Sequence, residues 1–191
     1  QFGSIPGVIR TRVGYAGGTA SRPTYHHLGD HSETLQVEFD PSQVSYAQLL
    51  EVFWKAHDPV SRSWSRQYRA ALVYHSEAQR QAAEESRARL AARLATAIAT
   101  ELHPAGPFTP AEDYHQKYYL RQDRALLREF VAIYPDPADF VASTAAARVN
   151  GYLAGYGVPE QVVQDANRLG LSEAGRRHLL DAVARRSGGR P

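Results

Sequence analysis

Hydrophobic residues in the first two-thirds of the chain switch between the spacing of strands and the spacing of helices. Val8 to Tyr15 and Thr34 to Phe39 alternate apolar and polar residues, as half-buried strands do. Tyr68 to Tyr74 is more continuously apolar, which predicts a central strand. Ala97 to Leu102 predicts a fourth strand, followed by a proline-rich loop from His103 to Pro110.

Helical spacing occurs between these strands. Apolar residues from Leu49 to Trp54 recur on one face after a Ser45 cap, and Pro59 ends this helix because proline disfavours the α conformation in the residue before it. A charged helix is predicted from Ser76 to about Leu94, and another over Ala111 to Ile133.

Pro135 and Pro137 mark a boundary, so we divide the chain into residues 1–134 and a helical C-terminal extension, 135–191. The extension is predicted to hold three short helices, at about 137–154, 159–169 and 172–186. Strands that alternate with helices predict an α/β or α+β sandwich for the first part.

Composition excludes several function classes. The net charge of +2 is too small to argue for nucleic acid, and no apolar run approaches the roughly 20 residues that span a bilayer. We therefore expect a soluble, intracellular, cytoplasmic protein without nucleic-acid or membrane partners. His26, His27 and His31 lie close together, but in a polar loop without paired carboxylates we do not expect a metal site.

Six short motifs over about residues 3 to 122 are the most specific feature of the chain. They are Gly14-Tyr15-Ala16-Gly17-Gly18 with Pro23-Thr24-Tyr25, His31-Ser32-Glu33, Phe39-Asp40-Pro41 to Phe53-Trp54, His57-Asp58-Pro59, Gln67-Tyr68-Arg69, and Ala111-Glu112-Asp113-Tyr114-His115-Gln116. In this order they resemble the peptide methionine sulfoxide reductase A family.

The resemblance implies a ferredoxin-like α/β sandwich core and a defined activity. The family reduces the S-epimer of methionine sulfoxide, free or in proteins, to methionine, and so repairs oxidative damage. The resemblance also implies a monomer that binds no cofactor and is reduced by an external thiol, either a protein of the thioredoxin type or dithiothreitol.

The chain nevertheless contains no cysteine. A sulfoxide sulfur calls for a thiolate nucleophile, and no other side chain has that reactivity. In the family this cysteine lies in a Gly-Cys-Phe-Trp-Gly motif before a short helix, and Gln1-Phe2-Gly3 resembles the last turn of that helix. We therefore expect a cysteine or selenocysteine a few residues upstream of Gln1, and no turnover by these 191 residues alone.

The remaining motif residues predict a site that protonates the departing oxygen. Sulfoxide oxygen leaves poorly unless acidic donors point at it. The resemblance assigns Glu33 as the acid, which we expect to be buried among aromatic groups, and Tyr15 and Tyr68 as phenolic donors. His115 matches a supporting position at the pocket edge.

The link between two of the motifs departs from the family pattern, and two alternative functions stay open. The link from Val60 to Arg66 is shorter than in many members and lacks their aspartate, although Trp64 could cover the pocket in its place. A cysteine-free relative could instead bind oxidised methionine without reducing it. The second alternative is that residues 138–186 form a scaffold with a basic helix face that binds acidic partners.

Overall fold

The computed structural model describes residues 1–63, 65 and 67–187. Over these residues five strands alternate with helices in the first part of the chain: β1 Val8–Ala16, β2 Ser32–Phe39, β3 Ala71–Tyr74, β4 Glu101–Pro104 and β5 Phe108–Pro110. The described residues contain eight α-helices, of which the last four lie in the C-terminal part: α1 Tyr46–Lys55, α2 Glu77–Leu94, α3 Tyr118–Gln122, α4 Arg124–Ile133, α5 Pro137–Ala142, α6 Thr144–Leu153, α7 Pro159–Ala166 and α8 Glu173–Ser187. The predicted α/β class with a helical C-terminal part is confirmed.

The strands form two small sheets. One has the order β2-β1-β5, and in the other β3 and β4 run parallel, with Ala71 opposite Glu101. β5 lies within the segment for which a loop was predicted, and it pairs antiparallel with the end of β1. Gly14 permits this pairing, because a Cβ there would lie 2.3 Å from the backbone oxygen of Thr109.

Contacts group the chain into two compact units that are not continuous in sequence. The first unit holds residues 1–12, 36–40 and 112–191, and the second holds 13–35 and 41–111. The division at residue 134 stays a prediction about domain organisation.

The second unit packs α1 and α2 against β3 and β4. Its core includes Leu50, Trp54, Leu72 and Leu90. α1 begins where it was predicted, because the Ser45 hydroxyl accepts from the Gln48 amide while the Gln48 side chain accepts from Ser45, a complete capping box.

The first unit buries one face of each helix from α3 to α8. Its core joins α3 and α4 to the later helices, with Leu120, Phe130, Phe140, Tyr152 and Leu179 among its members. Within the described residues no helix combines the length and apolarity needed to cross a membrane.

Two predicted helices are interrupted in this unit. The helix predicted over 111–133 is broken at Lys117, whose φ of 54° is left-handed, and α4 starts afresh from an Asp123 cap. The helix predicted over 137–154 is split at Ser143, whose hydroxyl accepts from the Ala146 amide. At Asp123 and Ser143 a side-chain cap satisfies an amide at the new helix start, whereas Lys117 makes no such bond and breaks the helix through its left-handed backbone.

Candidate active site

The structure brings Glu33 and Tyr68 together in the second unit. Glu33 is the second residue of β2, and Tyr68 lies in the link that leads to β3. The Glu33 amide donates to the backbone oxygen of Gln67 at 3.1 Å. This bond lines up the start of β2 with the link, although 34 residues of chain separate them.

Gln67 connects the carboxyl group of Glu33 with the phenol of Tyr68. Its Nε2 donates to Glu33 Oε1 at 2.9 Å and to the Tyr68 hydroxyl at 3.1 Å. An amide nitrogen carries two hydrogens, so one side chain can make both bonds at once. The result is an acid and a phenol held side by side at the protein surface.

Tyr25 adds a second phenol. The pKa of Tyr68 is raised, first by loss of water around its phenol, and then by the charge of Glu33 and by the charge of Tyr25 and a hydrogen bond with it. Tyr68 is 51% exposed and Tyr25 39% exposed, so both phenols are open to a ligand. Sequence reasoning assigned no role to Tyr25 or Gln67, although both lie within the quoted motifs.

The other predicted site residues lie in different surroundings. Tyr15 is only 2% exposed and packs in a small cluster with Leu28 and Ala111. His115 ends a 3-10 turn, Asp113–His115, in the first unit, with its ring centroid 4.2 Å from that of Tyr114. Their functional roles stay predictions, and the phenol that the structure brings to Tyr68 is that of Tyr25.

Glu33 is exposed in this structure, so the expected burial among aromatic groups is wrong. The reason is its place at the very start of β2, where the neighbouring Ser32 side chain points inward and is 6% exposed. Trp64, for which we predicted a covering role, lies outside the described residues.

Asp30 and His31 brace the loop that follows β1. The Asp30 carboxylate accepts from the amides of Thr19 and Ala20, and these bonds lower its pKa to about 2. The His31 ring accepts from the Gly18 amide at Nδ1 (3.3 Å) and donates from Nε2 to the Ala20 oxygen (2.9 Å). Both ring nitrogens are therefore engaged in holding the loop.

No group of three or more His, Cys, Asp or Glu side chains in the described ranges is arranged to hold a metal ion. Glu33 offers a carboxyl group that can exchange a proton, and the two phenols offer hydroxyls that can donate hydrogen bonds to an oxygen.

Comparison with known proteins gives a consistent result. The sequence model of the family "Peptide methionine sulfoxide reductase" matches residues 1–146. The peptide methionine sulfoxide reductase of Drosophila melanogaster is 38% identical over 189 residues, which are 98% of this chain and 76% of that protein. The MsrA enzyme of Methanothermobacter thermautotrophicus is 44% identical over 134 residues, 64% of this chain and 79% of that protein.

Solved structures agree. Methionine sulfoxide reductase A of Corynebacterium diphtheriae superposes with a TM-score of 0.54 at 34% identity, over 64% of this chain and 67% of that chain. The Drosophila alignment is long enough to include the C-terminal helices as well. From the motifs, the fold and these matches, we conclude that this chain belongs to the peptide methionine sulfoxide reductase family.

Proposed function

We propose that Glu33, Tyr68 and Tyr25 form the oxygen-binding part of a site that reduces methionine S-sulfoxide, free or in proteins, to methionine. The observation that carries this proposal is the Gln67 bridge, with its bonds of 2.9 Å to Glu33 and 3.1 Å to Tyr68. The bridge supports the proposal because it keeps a carboxyl group next to a phenol, and a departing oxygen needs both a proton and a hydrogen-bond donor.

The reaction needs a thiolate from a cysteine that these 191 residues do not include. The thiolate sulfur attacks the sulfoxide sulfur and forms a sulfur–sulfur bond, while the protonated carboxyl group of Glu33 gives its proton to the oxygen, which leaves as hydroxide as the sulfur–oxygen bond breaks. The hydroxide then attacks the cysteine sulfur, and the sulfur–sulfur bond breaks. The products are the thioether of methionine and a cysteine sulfenic acid, so the substrate sulfur is reduced and the cysteine oxidised. An external dithiol of the thioredoxin type, or dithiothreitol, then reduces the sulfenic acid and releases water.

The phenols hold the oxygen while its charge changes. A phenol donates only while it is protonated. Tyr68 has an ordinary pKa of 10.0, which loss of water around its phenol raises further, so it stays protonated at neutral pH. Tyr68 and Tyr25 therefore supply hydrogen bonds to the oxygen, and Glu33 supplies the proton. This proposal assigns no step to Tyr15, which is buried with Leu28 and Ala111, and gives His115 a supporting part only.

The test uses this chain joined to an N-terminal segment that carries the family's Gly-Cys-Phe-Trp-Gly motif. With dithiothreitol, the joined protein should reduce N-acetyl-methionine S-sulfoxide, whereas the 191 residues alone should not. Glu33→Gln should lower kcat by roughly 10²–10⁴-fold, because removing a positioned general acid costs that much. Tyr68→Phe should lower it by a smaller factor.

Glu51→Gln is the matched control, because Glu51 is an exposed glutamate on α1. It should retain full activity. A folded Glu33→Gln protein that turns over as fast as this control would contradict the assignment of the acid.

A further inference from the structure

The contacts around the site point to Arg69 as a positioning residue: its guanidinium holds the segments that carry Glu33, Tyr68 and the loop after β1 in one arrangement. This inference rests on the proposed function, because the groups that Arg69 aligns are the oxygen-binding groups of that proposal. Arg69 itself has no part in the reaction as proposed above.

One guanidinium contacts three separate parts of the chain. Arg69 Nε donates to Ser32 Oγ at 2.8 Å, Nη2 donates to the Gly17 oxygen at 3.4 Å, and Nη1 lies 3.3 Å from a carboxylate oxygen of Glu101. The side chain of Arg69 is only 14% exposed. The bond to Ser32 is therefore partly shielded from water, whereas the contacts with Gly17 and with Glu101, whose side chain is 48% exposed, lie at the surface.

These contacts fall next to the functional groups in sequence. Ser32 precedes Glu33, and Arg69 follows Tyr68. The bond between Arg69 and Ser32 therefore acts together with the backbone bond from Glu33 to Gln67. The bonded residues Gln67 and Arg69 flank Tyr68, and on the other segment the bonds hold the Glu33 amide and the preceding Ser32, so a shift of either segment along its chain direction would break these bonds.

The loop after β1 is built to accommodate the guanidinium. Gly17 has a φ of 77°, and a Cβ there would lie 2.6 Å from Arg69 Nη2. The guanidinium thus occupies the space that a side chain would take. Gly17 opens the segment that leads to Tyr25, so the same contact ties the second phenol's loop to the site.

Only arginine suits this position. Its planar guanidinium presents five N–H donors in a rigid fork and can reach several acceptors in different directions. Lysine would keep the positive charge opposite Glu101, but its single ammonium group on a flexible stem cannot hold Ser32 and Gly17 in the same geometry. Arg69→Lys therefore keeps the positive charge and removes the fixed geometry, so it tests the effect of geometry alone.

The first experiment needs neither substrate nor cysteine. The titration of the Tyr68 phenol is followed by ring-carbon NMR in the 191-residue chain, and its signal is assigned with Tyr68→Phe. Loss of surrounding water, the charge of Glu33 and the contact with Tyr25 raise the pKa of Tyr68. In Arg69→Lys this pKa should fall towards its ordinary value of 10.0, because the groups around the phenol are no longer held in place. Ser32→Ala should act in the same direction and is the second variant if Arg69→Lys does not fold.

Arg80→Lys is the matched control. Arg80 pairs with Glu77 and Glu84 on the exposed side of α2, so this change alters an ion pair of similar chemistry elsewhere. It should leave the Tyr68 titration unchanged. A Tyr68 titration that stays the same in folded Arg69→Lys and Ser32→Ala, or that moves equally in Arg80→Lys, would overturn the inference.

The second experiment measures turnover in the protein joined to the cysteine segment. Arg69→Lys should lower kcat for the S-sulfoxide by roughly tenfold to a hundredfold, because misplacing reacting groups by about 1 Å costs up to that factor. The KM should change less than kcat. Full activity in Glu33→Gln together with a lowered Tyr68 pKa in Arg69→Lys would refute the proposed function and keep the positioning role, so the two failures are distinguishable.

Discussion

Lys117 gives the folding stability of this chain a pH dependence that can be measured. The side chain is 4% exposed, and its Nζ donates to the backbone oxygen and the hydroxyl of Thr11. Burial, and then repulsion from Arg12, lower the pKa of Lys117 to about 7 from an ordinary value of 10.5. The folded protein therefore binds this proton much more weakly than the unfolded chain does.

The sign follows from proton counting. Between pH 7 and 10.5 the unfolded chain holds a proton that the folded chain has released, so the free energy of unfolding rises with pH. The slope is about 1.36 kcal/mol per pH unit, and the full gap in pKa corresponds to about 5 kcal/mol. Below pH 7 the whole penalty is present, because both states then carry the charge.

The assay compares urea unfolding of the wild type and Lys117→Met between pH 7.5 and 9.5. Over these two pH units the wild type should gain about 2.7 kcal/mol relative to the variant.

Lys55→Met is the matched control, because Lys55 is exposed at the end of α1. The difference between wild type and this variant should not change with pH in the same range. If the free energies of unfolding of wild type and Lys117→Met changed equally with pH, the reasoning would be refuted. The pKa of Lys117 would then be the same in the folded and the unfolded chain.

Two further predictions concern packing. Gly18→Ala should cost about 1–3 kcal/mol in the free energy of unfolding, because the added Cβ would lie 2.5 Å from Asp30 Oδ1 and force the braced loop to move. Tyr152→Phe should also cost about 1–3 kcal/mol, because the buried Tyr152 hydroxyl donates to Asp165, which would lose that donor. Urea unfolding checks both, and an unchanged midpoint in either variant would contradict the corresponding contact.

Apolar–polar alternation and helix caps in the sequence predicted the strands and helices that are specified by neighbouring residues. β1, α1 and α2 lie within a few residues of their predicted ranges, since alternation fixes a strand's faces and a side-chain cap marks a helix start. β5 was missed because three residues become a strand only by pairing with the end of β1, where Gly14 leaves room for Thr109. Nothing within residues 103–110 themselves indicates that partner.

The sequence by itself determined the family through its motifs, and with it Glu33 and Tyr68 as the residues to examine. Only the tertiary structure decided which groups meet. It places Gln67 between Glu33 and Tyr68, and adds Tyr25. The physical reason is that a motif specifies residues along the chain, whereas a site is specified by distances between residues that folding brings together from separate segments.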